Sequence, residues 1–488
     1  MTYAQACLRL EALRPARIRL GLERIRALLD RLGAPQRGFA AVLVVGTNGK
    51  GSTAAMLESI LRAAGHRTGL YTSPHLLSVR ERIQVGGRPL SRRRFAAALE
   101  STFAGARKLP RALGPVTYFE ALTAAGFLAF AQQGIDLAVL EVGLGGRFDA
   151  TSAHDPILTI LTSVSLDHQE FLGSTVRRIA AEKAGVLRGE PLLAGPIPPA
   201  ARAVVQRRCR AVGSRRLPRG RATELAADAR GRYSFVWGRG PKCHPVRLAL
   251  AGRHQVDNAV LALSAADYLG RRGFPSSTRQ RRRGLASVIW PGRLQQLAGR
   301  PPLLLDGAHN PAGMDSLVRH LRRFHRNRPL VAVFGVTRRR AARGLLSRLK
   351  PELASAVLTR APGPRGVDPR ELLVEAGGLE AVVEPDPRRA LRCARALAAP
   401  EGQVVVTGSL YLVGEALAAC SAVDRAPSAS LRSVGLLQRT FQYASVTLPS
   451  RASQLTAAPP PTPLCWYTPS QRSNAQGPAA DLPRRRRS

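Results

Sequence analysis

Four stretches of this 488-residue chain carry side chains with chemistry to offer. The first is Val44-Val-Gly-Thr-Asn-Gly-Lys-Gly-Ser-Thr53. A glycine-rich turn between a strand and a helix aims backbone N–H groups and a helix N-terminus at one spot. That spot suits phosphate, and Lys50 adds a point charge, so the stretch reads as a nucleoside triphosphate loop. Its spacing departs from the usual pattern. Val44 stands where the first glycine belongs, and Gly51 rather than Ser or Thr follows Lys50. A glycine/asparagine turn without a ligand therefore stays open as a second reading. The other stretches are Tyr71-Thr-Ser-Pro-His75, Leu140-Glu-Val-Gly-Leu-Gly-Gly-Arg147 and Asp167-His168, which bring Ser73, Glu141 and His168. A hydroxyl, a carboxylate and an imidazole beside phosphates form a donor mix for magnesium held by few protein ligands, although histidine is uncommon on so hard a cation. Singly, each has a plainer explanation. Glu141 can be a paired acid in an apolar strand, His168 a hydrogen-bonded structural histidine, and Ser73 a turn residue before Pro74.

The elements that must position these groups follow from the apolar pattern. Runs at 41–45, 68–71, 137–142 and 157–164 read as strands, and 52–64, 92–102, 119–132 and 174–187 as helices. Such alternation predicts parallel βαβ units, whose ligands sit outside the carboxyl ends of the strands. Lys50 and Ser52 follow the first strand, Ser73 follows the second, Glu141 closes the third, and Asp167-His168 follow the fourth. All four stretches should therefore meet at one sheet edge. Residues 195–250 are basic and less regular, as in a short β-rich excursion; 258–269 reads as a helix. Trp290-Pro-Gly-Arg293 is a stiff segment that reads as a hinge, after which strands recur at 303–306, 330–335, 355–359 and 404–408. The expected fold is α/β. A P-loop-containing, doubly wound, mostly parallel sheet domain occupies 1–293, and a smaller Rossmann-like α/β C-terminal domain occupies 294–424. From 425 to 488 the periodicity is lost, and Pro459-Pro-Pro-Thr-Pro463 and Arg484-Arg-Arg-Arg-Ser488 predict a disordered basic tail.

Composition narrows the function. A hydrophobic content of 45% supports real cores. No run of eighteen apolar residues occurs, so no membrane span is expected, and residues 1–19 lack a signal-peptide core, which predicts a cytoplasmic protein. The six cysteines show no Cys-x-x-Cys spacing and suggest neither a disulfide framework nor a zinc site. A net charge of +42 admits nucleic-acid binding. The chain holds five lysines against 69 arginines, however, spread along its whole length, which points to a bias toward arginine rather than selection for positive charge. That scarcity makes each lysine informative. Lys50 and Lys183 both lie in the motifs, and a lysine amine can lose its proton and react where a guanidinium does not.

The ordered motifs Gly46-Thr-Asn-Gly-Lys-Gly-Ser52, Tyr71-Thr-Ser-Pro-His-Leu76, Thr117-Tyr-Phe-Glu120, Glu141-Val-Gly-Leu-Gly-Gly-Arg147, Leu166-Asp-His168, Glu182-Lys-Ala-Gly185, His254-Gln-Val-Asp-Asn258, Pro291-Gly-Arg293 and Asp306-Gly-Ala-His-Asn-Pro311 resemble those of the bifunctional dihydrofolate synthase/folylpolyglutamate synthases, within the Mur ligase superfamily. The resemblance runs from about Leu20 to Val413 and leaves the tail outside. It implies a magnesium-dependent ligase of folate biosynthesis and one-carbon metabolism. Such an enzyme uses ATP to join L-glutamate to dihydropteroate, or to extend folates, through an acyl phosphate. It implies that Gly49, Lys50, Gly51 and Ser52 hold the ATP phosphates, with Asn258, Arg293 and Asp306 as further nucleotide contacts. Ser73, Glu141 and His168 would bind the metal, and Thr117, Tyr118, Phe119, Glu120 and Phe148 the pteroate. Lys50, Lys183 and His168 would be catalytic, with Lys183 carbamylated. The partners implied are small molecules, with no membrane and no nucleic acid, and the chain is expected to be a monomer. One departure stands out: Thr337-Arg-Arg-Arg340 replaces the family's Asp-Lys-Asp run, which puts closure or substrate affinity in doubt. A muramyl-peptide-type amino acid ligase and a basic nucleic-acid-binding NTPase are the alternatives.

Overall fold

In chain order the strands of the first sheet are β1 (Ala40–Val45), β2 (Thr68–Tyr71), β3 (Ile83–Val85), β4 (Arg88–Pro89), β5 (Leu137–Glu141), β6 (Leu158–Leu161) and β7 (Leu192–Ala194). They lie side by side as β4-β3-β2-β5-β1-β6-β7. The computed structural model describes residues 1–14, 21–239, 242–337, 344–398 and 400–423. β1 has no polar side chain, and its residues alternate between two cores. Ala41, Leu43 and Val45 face one, and Val42 and Val44 the other. A strand buried on both faces needs helices on both, the arrangement of a parallel α/β sheet. The helices Lys50–Ala63 and His254–Gly270 cover one face, and Arg92–Arg107 and Tyr118–Gln132 the other. β2, β5, β1, β6 and β7 run parallel, while β3 and β4 add an antiparallel edge. The doubly wound, mostly parallel sheet expected from the alternation is present.

A three-stranded antiparallel sheet follows, β8 (Arg221–Ala227), β9 (Arg232–Arg239) and β10 (Lys242–Ala251), preceded by a helix, Pro199–Val212. The expected β-rich excursion is thus real but starts later, because Pro199 at the first helical position and Gly213 in the left-handed conformation bound a helix within the basic stretch. Tyr233, Phe235, Trp237, Val246 and Leu248 of this sheet join the core beneath helix His254–Gly270.

The third sheet holds β11 (Gln295–Leu297), β12 (Leu303–Leu305), β13 (Leu330–Phe334), β14 (Ser355–Leu358), β15 (Glu380–Val383) and β16 (Gln403–Thr407), in the order β11-β12-β16-β13-β14-β15. All pairings but β11 with β12 are parallel. Its strands also alternate between two cores, with Leu304, Ala332 and Phe334 on one side and Leu303, Leu305, Val331 and Val333 on the other. Met1–Ala426 form one compact unit, and no helix among the described residues is long and apolar enough to cross a membrane. The expected tail over 425–488 and Arg338 to Arg340 lie outside the described residues.

Candidate functional site

β1 runs out at Val45, and the chain turns through Gly46 to Gly49 into helix Lys50–Ala63. Two glycines make the turn possible. Gly46 sits at φ +156° with the Thr162 hydroxyl where a Cβ would project, and Gly49 sits at φ +83° with the Asn258 amide in that place. Between them the backbone is pinned by the segment after β6. Thr47 N–H donates to Ser163 O (2.9 Å), Asn48 N–H to Ser163 Oγ (2.9 Å), and Thr162 Oγ1 to Asn48 O (2.7 Å). This explains why the strand expected over 157–164 stops at Leu161: the groups at 162–165 turn to the loop. Lys50 is the first residue of the helix, and its Nζ donates to Thr47 O (3.1 Å). Gly51 lies under Trp290, whose ring comes 2.8 Å from where a Cβ would stand. Ser52 is buried; its Oγ accepts from Gln255 Nε2 (3.4 Å), and Gln255 Oε1 in turn accepts from Asn258 Nδ2 (2.9 Å).

The neighbouring strand tips bring acids and amines to this loop. Glu141 ends β5 and is in register with Val44 of β1, and its Oε2 accepts Ser73 N–H (3.0 Å). Burial raises its pKa; Lys50, the Ser73 N–H, Arg293 and Arg82 oppose that rise. On the other side of β1, His168 caps the short helix Gln169–Leu172 in the left-handed conformation, and its N–H donates to Asp167 Oδ1 (2.8 Å). Burial works against the charge on Asp167, but His168, His309, Asn310 and Lys50 outweigh it and hold this carboxyl below its ordinary pKa. Lys183, buried in helix Val176–Ala184, donates from Nζ to Gly46 O (2.7 Å). Burial and then the Lys50 charge pull its ammonium down to about 7, against the opposing pull of Asp167 and Asp149. The Lys50 charge therefore acts on Glu141, Asp167 and Lys183 alike.

The third sheet faces the same loop. Asn310 Nδ2 donates to Asn48 Oδ1 (2.9 Å) and to Asp167 Oδ2 (3.0 Å), while His309 Nε2 stands 3.9 Å from that same carboxylate oxygen. Asp306, just past β12, accepts Leu294 N–H (2.9 Å) and Ala308 N–H (3.0 Å). Burial raises its pKa, opposed first by Arg293. Asn258, on helix His254–Gly270, thus meets Gly49, while Arg293 acts on both Glu141 and Asp306.

The Thr117–Glu120 stretch is organised differently. Thr117 Oγ1 accepts Glu120 N–H (3.3 Å), and the Glu120 carboxylate accepts Thr117 N–H, a capping box that starts helix Tyr118–Gln132. The same Glu120 Oε2 accepts Arg24 Nε at 2.7 Å. Tyr118 carries Arg14 and Arg82 over its ring, at 4.5 and 5.6 Å from its centre. The Phe119 ring lies 2.8 Å from where a Gly143 Cβ would stand. Phe148 is half-exposed beneath Arg147, whereas its neighbour Asp149 is buried and accepts Gly143, Leu144 and Thr151 N–H groups. Asp149 was not named from sequence, and Asp167, His309 and Asn310 were named only as members of motifs, without a role. For Asn310 the signal is Asn310-Pro311, a helix cap followed by a first-turn proline.

Among the described residues no three His, Cys, Asp or Glu side chains gather as a metal site. Ser73, Glu141 and His168 supply one carboxylate, one hydroxyl and one imidazole around a loop built for phosphate. That set fits a hard divalent ion taking most of its oxygens from phosphate and water.

Comparison with known proteins places this arrangement. Residues 44–266 match the Mur ligase middle domain, and 292–410 the Mur ligase glutamate ligase domain. A Bacillus subtilis dihydrofolate synthase/folylpolyglutamate synthase is 32% identical over 407 residues, 82% of this chain and 94% of its own. E. coli FolC, solved with DHPP and ADP, superposes with a TM-score of 0.78 at 31% identity over 87% of this chain and 99% of its own. A Yersinia pestis bifunctional folylpolyglutamate synthase/dihydrofolate synthase, solved with AMPPNP and a Mn ion, gives 0.74 at 31% identity over 86% and 98%. Sequence, domains and fold agree, and the chain belongs to the dihydrofolate synthase/folylpolyglutamate synthase family of Mur-type ligases.

Proposed function

We propose that this chain is a cytoplasmic ATP-dependent amide ligase that joins L-glutamate to dihydropteroate and to folates. A carboxylate cannot expel oxide, so the acid must first be activated. A carboxylate oxygen of the acceptor attacks the γ-phosphorus of ATP, ADP leaves, and an acyl phosphate results. The glutamate α-amine then attacks the acyl carbon, the tetrahedral adduct sheds phosphate, and the amine loses its proton as the amide forms. The observation that carries this reading is the meeting at Lys50 of Glu141 from the tip of β5, Asp167 from beyond β6 and Lys183 from its helix, faced by His309 and Asn310 from the third sheet. The backbone from Gly49 to Ser52 would cradle the phosphates, and Lys50 would offset charge on the transferring phosphoryl group, where electrostatic positioning dominates. Ser73, Glu141 and His168 would hold magnesium, which when bound neutralises charge on the phosphoryl oxygens. Asn258, Arg293 and Asp306 would contact the nucleotide, and Tyr118, Phe119 and Phe148 would line the pteroate side.

Lys183 fits a further role. With its pKa near 7 it keeps a neutral amine that can attack carbon dioxide, forming an N–C bond and releasing a proton. The carbamate so formed would add a carboxylate beside Gly46 of the loop, on the Asp167 side. The family relatives favour a folate acceptor over a muramyl peptide.

Incubation with ATP, magnesium, L-glutamate and either dihydropteroate or tetrahydrofolate, with products weighed by mass spectrometry, tests the proposal. The expected product is heavier by one glutamyl residue, and Lys50→Ala should lower its rate by at least about 100-fold. No mass gain with either acceptor, or wild-type turnover in Lys50→Ala, would overturn it.

A further inference from the structure

A cavity of about 260 Å³ lies on the far side of the first domain, between the connection leading into β8 and the last turns of helix His254–Gly270. Its position is set by backbone. Leu192 N–H of β7 donates to Arg215 O, and Leu217 N–H to Leu192 O, so residues 215–217 extend the sheet edge near the start of β7. Gly220 N–H donates to Ser264 Oγ and ties the connection to the helix. The phosphate loop sits at the opposite, carboxyl end of the strands. Along the helix, ten residues separate Asn258, beside Gly49, from Tyr268 in the cavity wall, a rise of about 15 Å.

The wall carries Arg215, Arg216 and Arg271, and no aspartate or glutamate. All three arginines are exposed. The arginine-rich composition does not by itself give such a site. The second cavity, beside Thr337, sets Asp368 and Glu371 against Arg360 and Arg365 in its own wall. Tyr268 adds an independent sign. It is 7% exposed, lines the cavity, and its phenol has no hydrogen-bond partner among the described residues. Its oxygen is not among the fully buried unpartnered atoms, so it is open to a ligand that enters beside the three arginines. Leu217 and the Tyr268 ring leave part of the wall apolar.

We propose that this cavity is a second binding site, for a small anion with two or more charged groups. Arginine forks grip carboxylates and phosphates alike, so the shared chemistry covers both a pyrophosphate-like ligand and a short oligo-γ-glutamate. The site needs no part of the ligase chemistry and stands whether or not that reading holds.

Calorimetric titration of the full chain with inorganic pyrophosphate, and separately with tri-γ-glutamate, separates the two sources. Binding of either probe is expected to survive Lys50→Ala and to weaken at least about tenfold in Arg215→Gln/Arg271→Gln, since each charge-assisted hydrogen bond lost is worth about a factor of ten or more. Tyr268→Phe, which keeps the ring, should weaken it several-fold and guards against misfolding of the double variant. Arg282→Gln/Arg283→Gln, two exposed arginines of helix Thr278–Ser287, should leave affinity unchanged. Binding of neither probe, loss of binding only in Lys50→Ala, or equal weakening in both arginine pairs would overturn the proposal.

Discussion

Two buried glutamates, Glu120 and Glu141, are 5% and 4% exposed, yet their surroundings differ in kind. Glu120 meets a dedicated cation: Arg24 is itself buried and donates to Glu120 Oε2, which also takes the Thr117 N–H and hydroxyl. Glu141 receives one backbone N–H, from Ser73, and feels its cations, Lys50, Arg293 and Arg82, without an ion pair to any of them among the described residues. The ion pair matches Glu120 Oε2 within the fold, although its Oε1 is buried without a partner. A carboxylate held among cations that are not its own partners is matched only when something else arrives. The difference teaches that burial alone does not separate a structural acid from a functional one; the identity of its partners does. On this ground Glu120, expected from its motif to touch substrate, serves first to start its helix and anchor Arg24.

Exchange of each glutamate for its isosteric amide would break this contrast or sharpen it. The largest effect is expected for Glu141→Gln. Ligase turnover should fall by about 100-fold or more, the scale seen when one electrostatic group at a charge-developing centre is lost, while the thermal midpoint holds or rises because a buried charge has been removed. Steady-state rates beside a melting curve check both halves, and near-wild-type turnover would place Glu141 with the structural acids. Glu120→Gln should do the reverse. It leaves the buried Arg24 guanidinium without its countercharge, which costs about 3–5 kcal/mol of stability. Turnover per folded molecule should stay within a few-fold at a permissive temperature. Urea unfolding with parallel activity measurements reads this out, and a lost acceptor affinity without lost stability would return Glu120 to the substrate pocket.

How far this contrast was legible in the sequence depends on which forces were local. β1, its turn and the following helix were legible because an apolar run, glycines and a helical period are all local signals, and the parallel sheet, though not its strand order, followed from the alternation. Helix His254–Gly270 begins four residues before the expected Asn258, since its first turn is held by tertiary packing of Gln255 and Val256 rather than by a capping side chain. The short β3–β4 edge gave no periodic run long enough to read. At the site, Glu141 stood out as an acid in an apolar strand. Asp167 was seen only as the neighbour of His168 and given no role, because its contacts with Asn310 and His309 join residues more than 140 positions apart. Phe148 drew attention over Asp149 for a similar reason. The backbone N–H groups that converge on Asp149 depend on how the glycine-rich run folds, and that is a property of the turn rather than of any residue in it.

The smallest effect sharpens the contrast through pH. Burial raises the pKa of Glu141 above its ordinary carboxylate value, so the folded, ligand-free protein holds this proton more tightly than the unfolded chain. A group raised in the folded state adds stability that is complete below its unfolded pKa and is lost as pH rises through the folded one. In chelator-treated protein without nucleotide, wild type should therefore lose stability relative to Glu141→Gln as pH climbs out of the ordinary carboxylate range. Magnesium and ATP, by favouring the carboxylate, should narrow that gap. Thermal midpoints of both proteins across pH 4 to 8, with and without these ligands, decide the matter. A gap that stays constant with pH in the ligand-free state would mean that Glu141 ionises as freely as an exposed acid, and its cations would then be its true partners after all.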